Sequence, residues 1–363
     1  MEKTALSSFE IHGFRAFEHL KLEKLGRVNL FTGKNNVGKT SLLEALWVYA
    51  NQGAPAILWS ILESRNEGSP LPEFQFSEED LSAQIEAVLS LFSGRKTANE
   101  NIQPIEIGPT SDPDKLVSIK FTWSKNLRME KTDDNSTSQE ILPALNIQVG
   151  KIGSPYRLDR SLRNRMAHDK MLVKKPFLNI FIPASGIPGE TLEKYWDAIT
   201  LSPLENDVIN TLKILEPGLE RISMVAASKT SHRRTSIVKT SRHERPVPMR
   251  SLGEGMNRIF GLALAMVNAK DGMLLIDEIE SGLHYSILPE MWRFIFQAAQ
   301  RLNVQVFATT HSWDCITGFQ QAAQESDQDG MMIRLVNKKG KIVPTFFDEK
   351  DLSIATREQI EVR

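Results

Sequence analysis

Residues 33–40 read GKNNVGKT, a glycine, four residues and a second glycine followed by Lys39 and Thr40. That spacing suits a loop that wraps a polyphosphate. Gly33 and Gly38 permit backbone angles that turn successive N–H groups inward, with Lys34, Asn35, Asn36 and Val37 between them. A helix opening at Ser41 adds the positive end of its dipole. Lys39 offers a mobile positive charge to the outer phosphates, and Thr40 a hydroxyl to Mg2+, which takes oxygen ligands and keeps several waters. An ordinary glycine turn is the plainer alternative.

A second set of reactive groups lies far along the chain. Met273 to Glu278 reads MLLIDE, an apolar run ending in two adjacent carboxylates. Asp277 suits a place in a Mg2+ shell. Glu278, facing the other side of the chain, suits general-base activation of a water, a role worth about 10² to 10⁴ in rate. A strand ending in solvated acids is common, but a second apolar run, VQVFATT, ends at His311. Phosphate loop, acids and histidine then form a set. The guanine-reading Asn-Lys-x-Asp pattern is missing, because Asn337 and Lys338 are followed by Lys339 and Gly340, so adenine is favoured. Asp327 and Asp329 sit in the polar stretch ESDQDG and read as a turn.

Positioning such groups needs strand ends gathered at one edge of a sheet. Phe9 to Phe31 reads as short strands leading into the glycine loop, and Ser41 to about Ala50 as a helix that Gly53 and Pro55 close. An amphipathic run from Leu81 to Phe92 follows, with Ser77 as its cap. Leu116 to Trp123, Leu145 to Val149 and Phe177 to Ile182 read as strands, together suggesting an antiparallel flank. Glu190 to Leu219 is helical in pattern, broken by Pro203 and Pro217, and suggests an arm. Helix 255–268, strand 273–276, helix 286–302 and strand 304–309 then alternate as in a mostly parallel sheet, and a strand at 331–336 follows. The expected class is α/β.

Bulk properties narrow the setting. The 363 residues carry 44 Lys plus Arg against 45 Asp plus Glu, so any polyanion surface has to be local. Cys315 has no second cysteine to pair with, and Glu2 and Glu10 fall where a signal peptide is basic then apolar; both point to a reducing cytoplasm. No apolar run reaches membrane-spanning length, so no membrane is expected.

These motifs resemble those of the ABC-type ATPases, in particular the RecF, SMC and OLD-like group often described as AAA-family proteins. FRAF at 14–17, GKNNVGKTSLLEAL at 33–46 and LLIDEIESGLHYS at 274–286 carry the likeness. The resemblance implies ATP and Mg2+ as cofactors, His311 as the switch that senses the terminal phosphate, and Glu280 to His284 as a loop crossing to a partner subunit. It also implies a homodimer joined head to tail, each copy supplying a signature peptide to the other's nucleotide. The matching peptide is SLGEGMNR at 251–258, with Gly253 in place and Gly255 behind it. Leu252 stands at the usual serine and Glu254 at the usual second glycine, so Ser251 is left to supply a hydroxyl. The glutamine of the lobe-connecting loop has three candidates, Gln75, Gln84 and Gln103.

One composite ATPase domain is expected over 1–363: strands and phosphate-loop helix to 55, a variable insert and β flank over 56–185, the helical arm over 186–222, and the signature, acidic and histidine lobe over 223–363. Basic segments at 157–175 and 229–250 could contact a DNA or RNA backbone, or simply be solvated. OLD-like relatives add a nuclease domain, and the 52 residues after His311 are too few to hold one, so a separate nuclease effector is expected. The resemblance suggests an ATP-driven switch in anti-phage defence or DNA maintenance. A nucleotide sensor with little turnover is the alternative, and a transport ATPase is disfavoured by the divergent signature.

Overall fold

The structure, a computed structural model, describes residues 6–68, 77–98, 100–127, 139–158, 178–226, 234–326, 330–348, 351–352 and 354. Strands β1 (Phe9–Phe14) and β2 (Phe17–Leu22) form a hairpin that buries Phe9, Ile11, Leu20 and Leu22 on one face. Fully buried β3 (Val28–Thr32) runs into the phosphate loop, and α1 (Lys39–Ala50) follows it. Gly53 and Pro55 do end α1, but Pro55 also starts α2 (Pro55–Ser64), where its fixed φ and missing N–H suit a first helical position. In α3 (Glu78–Leu89) the expected cap is a reciprocal one: Asp80 N donates to Ser77 Oγ at 3.1 Å and Ser77 N to Asp80 Oδ2 at 2.9 Å.

The antiparallel flank comprises β4 (Ile105–Gly108), β5 (Val117–Leu127), β6 (Gln139–Val149) and β7 (Ile152–Arg157) together with the first hairpin, in the order β2-β1-β4-β5-β6-β7. Sequence reading missed β4 and β7. The first is only four residues long, and in the second Gly153 and Pro155 dilute the alternation while half the positions stay exposed.

The remaining elements are β8 (Asn179–Ile182), α4 (Gly189–Ile199), α5 (Pro203–Leu212), β9 (Leu219–Ala226), β10 (Arg234–Thr240), β11 (Val247–Pro248), α6 (Glu254–Asn268), β12 (Met273–Ile276), α7 (Leu288–Arg301), β13 (Gln305–Thr309), α8 (Trp313–Gln324), β14 (Gly330–Lys338) and β15 (Lys341–Phe347). The core sheet has the order β15-β14-β3-β13-β12-β8, and every pairing is parallel except that of β15. Its inner strands β3, β13 and β12 are covered on both faces, which is why they read as largely apolar runs. Leu274, Ile276, Val306 and Ala308 face the core shared with α6, α7 and α8. Met273, Leu275, Phe307 and Ile333 face the core shared with α1 and the flank.

The expected arm is two short helices, α4 and α5, folded back onto α6. Trp196, Ile199, Val208 and Leu212 are buried in the core of Phe260 and Leu264, with the Trp196 and Phe260 rings 5.8 Å apart. Helix was expected to Leu219, but α5 stops at Leu212 and Leu219 opens β9, the edge of a small sheet ordered β11-β10-β9. Sheet membership therefore cuts across the expected segments: β1 and β2 belong to the flank, β8 to the core sheet, and β9 spans position 222. Among the described residues no helix is long and apolar enough to cross a membrane.

Candidate functional site

Three neighbouring parallel strands, β3, β13 and β12, bring the reactive groups to one edge. Thr309 pairs with Phe31 and Ala308 with Ile276, so the phosphate loop, Asp277 with Glu278, and His311 all leave adjacent strand ends. A cleft of about 750 Å³ opens there, lined by Asn35, Asn36, Lys39, Thr40, Asp277, Glu278 and His311 among others.

The loop's shape depends on its glycines. At Gly33, with φ +140°, a Cβ would lie 2.5 Å from the Leu335 carbonyl oxygen. Gly38, with φ +93°, caps α1, and a Cβ there would lie 2.9 Å from Phe17 Cζ. Phe17 of the FRAF sequence is thus the wall against which the loop turns. Lys39 Nζ donates to the carbonyls of Gly33 at 2.7 Å and Lys34 at 3.2 Å, spanning the loop mouth. Burial lowers its pKa, while the carboxylates of Asp277, Glu278 and Glu280 pull the other way. Thr40 Oγ1 donates to Asp277 at 3.0 and 3.2 Å, so a hydroxyl and a carboxylate meet as hard oxygen donors. Ser41 is buried behind them.

Glu278 has φ +46°, a left-handed conformation that costs a non-glycine residue about 1–2 kcal/mol. Two contacts hold it there. Its N–H donates to Thr309 Oγ1 at 2.8 Å, and its carbonyl accepts from Arg258 Nη2 at 3.1 Å. The twist carries the carboxylate into the cleft, 4.0 Å from His311 Nδ1. Glu280 accepts from the His311 N–H at 3.1 Å and lies 3.3 Å from its Nδ1.

Sequence reading missed several of these supports. Thr309, the last residue of β13, donates to Asp277 Oδ1 at 2.6 Å. Arg258 was inside the signature peptide but without a role. Burial lowers its pKa, the nearby Glu280, Asp277 and Glu278 acting in the opposite direction. Arg15, in the FRAF turn with φ +48°, lines the cleft and lies 3.2 Å from Glu44 and 2.8 Å from Glu67. Arg65 joins the same buried Glu44 through two hydrogen bonds at 2.7 and 3.0 Å. Burial raises the Glu44 pKa, opposed by these two guanidinium groups. The signal available in advance was Arg15 within FRAF; Arg65 and Glu44 are joined only by the fold.

The signature residues lie elsewhere. Ser251 and Gly253 are exposed at the start of α6, and Gly255 sits 3.4 Å, by a Cβ placed on it, from the Gly282 carbonyl. With Leu252 and His284, Gly255 lines a second cavity of about 440 Å³ that shares no residue with the phosphate-loop cleft. Of the glutamine candidates, Gln84 is buried in α3, Gln103 is exposed and neither lines the cleft, while Gln75 lies outside the described residues. Asp327 and Asp329 also lie outside them.

Comparisons with known proteins find similarity over most of the chain. Residues 5–149 match the family described as "AAA ATPase domain", and 217–314 the family described as "AAA domain, putative AbiEii toxin, Type IV TA system". An "ATP/GTP phosphatase" of Helicobacter pylori is 24% identical over 347 residues, 89% of each chain. An uncharacterized protein of Methanocaldococcus jannaschii is 34% identical over 82 residues, 23% of this chain and 72% of that one. Among solved structures, an SMC head bound to the C-winged helix domain of ScpA aligns with a TM-score of 0.53 at 11% identity, covering 94% of this chain and 98% of that one. An SMC head with an extended coiled coil, bound to the C-terminal domain of ScpA from Pyrococcus furiosus, aligns at 0.51 with 10% identity, covering 98% and 99%. At such identities the likeness shows the fold.

The fold and cleft define a nucleotide-binding ATPase of α/β class. The two segments that match AAA ATPase families contain the phosphate loop and the strand ends of Asp277, Glu278 and His311, and these matches support ATP hydrolysis as the chemistry.

Proposed function

We propose that this ATPase is a Mg-ATP-driven switch that closes head to tail with a second copy of itself. The observation that carries the proposal is the separation of the two cavities: the exposed N-terminus of α6, with Ser251 and Gly253, has no part in its own chain's phosphate cleft. A helix start with open N–H groups suits a phosphate, and a second copy would bring it there. In this reading Gly33 to Ser41 cradle the phosphates, and Thr40 with Asp277 hold Mg2+, which fits two oxygen donors already 3.0 Å apart. When bound, the ion offsets phosphate charge. Lys39 turns from the loop carbonyls to the outer phosphates, Glu278 takes a proton from the attacking water, and His311 meets the terminal phosphate.

The test is the association state of Glu278→Gln protein with saturating Mg-ATP, measured by light scattering during gel filtration. A trapped dimer supports the switch, and a monomer sinks it.

Coupling to DNA or to a separate nuclease, in defence or genome maintenance, is the extension suggested by the family. Arg234 is held by Asp197 at 2.7 Å, Lys239 by the carbonyls of Thr240 and Glu244 at 3.3 Å, and Arg242 lies 3.5 Å from Glu216. That leaves exposed Arg245 and Arg250 as the better DNA contacts of 229–250. Positions 160–175 and 229–233 lie outside the described residues. Stimulation of hydrolysis by duplex DNA, lost in Arg245→Ala with Arg250→Ala, is the corresponding measurement. A sensor with little turnover remains the second reading, favoured by half-buried Leu252 at the signature serine position.

A further inference from the structure

The outer face of the first hairpin carries a group of side chains that the nucleotide site does not use. Glu10 and His12 alternate along β1 and so share a face, and the register sets His19 of β2 directly across from His12. The two imidazoles stack with centroids 4.3 Å apart and planes 8° from parallel. Both Nε2 atoms reach the same carboxylate oxygen: Glu10 Oε1 is 2.7 Å from His19 Nε2 and 3.2 Å from His12 Nε2. The three donor atoms all lie within 4.8 Å of one another.

We propose that Glu10, His12 and His19 form a zinc-binding site on the β1–β2 hairpin, separate from the nucleotide cleft. Ligand atoms around a tetrahedral Zn2+ with bonds of about 2.0–2.1 Å stand about 3.3 Å apart, close to the spacings that Glu10 Oε1 already has to each imidazole. Two imidazoles with one carboxylate suit Zn2+, whereas Ca2+ and Mg2+ take oxygen shells. Each Nε2 donates its lone pair once the ring proton sits on Nδ1. The ring stack has to open slightly to share an ion, and with side chains 42% and 53% exposed it can do so without displacing the core. The fourth position is left to water or to Glu106, which the β1–β4 register places opposite His12 on this face. Lys21 lies across from Glu10, but its ammonium sits 3.3 Å from Glu23.

The position gives the ion something to act on. His12 lies two residues before Phe14 and His19 two residues after Phe17, the pair that closes the hairpin, and the turn between Phe14 and Phe17 holds Arg15 and Ala16, both of which line the phosphate cleft. Zinc would clamp the hairpin two residues from that closing pair on either strand.

The experiment is a calorimetric titration of chelator-treated, nucleotide-free protein with zinc chloride, on wild type, His12→Ala and His19→Ala, with far-ultraviolet dichroism confirming the fold of each. One ion per chain is expected, bound about tenfold or more weakly in both variants. Cobalt titrated in its place should give the visible absorption of a low-coordinate nitrogen and oxygen site in wild type alone. Zinc binding that either variant leaves intact, or no binding by wild type, overturns the proposal. Because no nucleotide is present, neither result depends on the proposed dimer.

Discussion

Thr309 Oγ1 stands between the two neighbouring acids: it donates to Asp277 Oδ1 at 2.6 Å and accepts from the Glu278 N–H at 2.8 Å. One hydroxyl at the end of β13 therefore ties the side chain of one acid to the backbone of the next.

Replacing it with an isosteric apolar residue should disorder both. Thr309→Val is expected to lower kcat more than it raises KM for ATP, with a stability loss of about 1–3 kcal/mol from the buried polar groups left unpaired. Thr309→Ser should restore most of the rate. Steady-state kinetics beside urea denaturation measure both, and equal rates in Val and wild-type proteins refute the assignment.

Glu278→Gln keeps the size and the twisted backbone but removes the proposed base. Hydrolysis should fall about 10² to 10⁴-fold while binding of a fluorescent ATP analogue is unchanged. A variant that hydrolyses at the wild-type rate would move the base to another group, with Glu280 next in line.

Lys39→Ala removes the cation at the loop mouth. Affinity for ATP is expected to drop about 10- to 100-fold, the loss of a hydrogen-bonded charge contact. Titration calorimetry reads it directly, and an unchanged affinity would contradict the phosphate-loop assignment.

Glu67 offers a test by pH. Burial alone raises its pKa, but the hydrogen bond and charge of Arg15, the Ser90 hydroxyl and the charge of Arg95 outweigh it, leaving the pKa below its ordinary value of 4.5. A carboxyl lowered in the folded state stabilises the fold above its unfolded value and loses that contribution as pH falls through the folded one. The stability gap between wild type and Glu67→Gln should thus be widest near neutral pH and close as the solution is acidified below 4.5. A gap constant with pH would show that Glu67 acts by packing alone.

The inner strands of the core sheet were legible because both their faces are covered, so MLLI at 273–276 and VFA at 306–308 are apolar without interruption. The phosphate loop was legible because its glycines have no room for side chains. Harder to see were β4 and β7, short or diluted by Gly153 and Pro155, and the sheet of β9 to β11, whose β10 is mostly half-buried. In the site, the groups named in advance are those that would touch nucleotide. Thr309, Arg258, Arg65 and Glu44 hold those groups in place through contacts that span 20 to 32 residues or more, such as Arg258 to Glu278 and Thr309 to Asp277, and no local pattern records them.

Arg258 stands on α6, the helix whose exposed start carries Gly253, and its guanidinium grips the carbonyls of both Asp277 and Glu278 at 3.1 Å. A push on the front of that helix would thereby reach the one peptide whose strained turn aims the Glu278 carboxylate. In the proposed closed pair such a linkage would act as a trigger guard, withholding hydrolysis until the other copy has arrived.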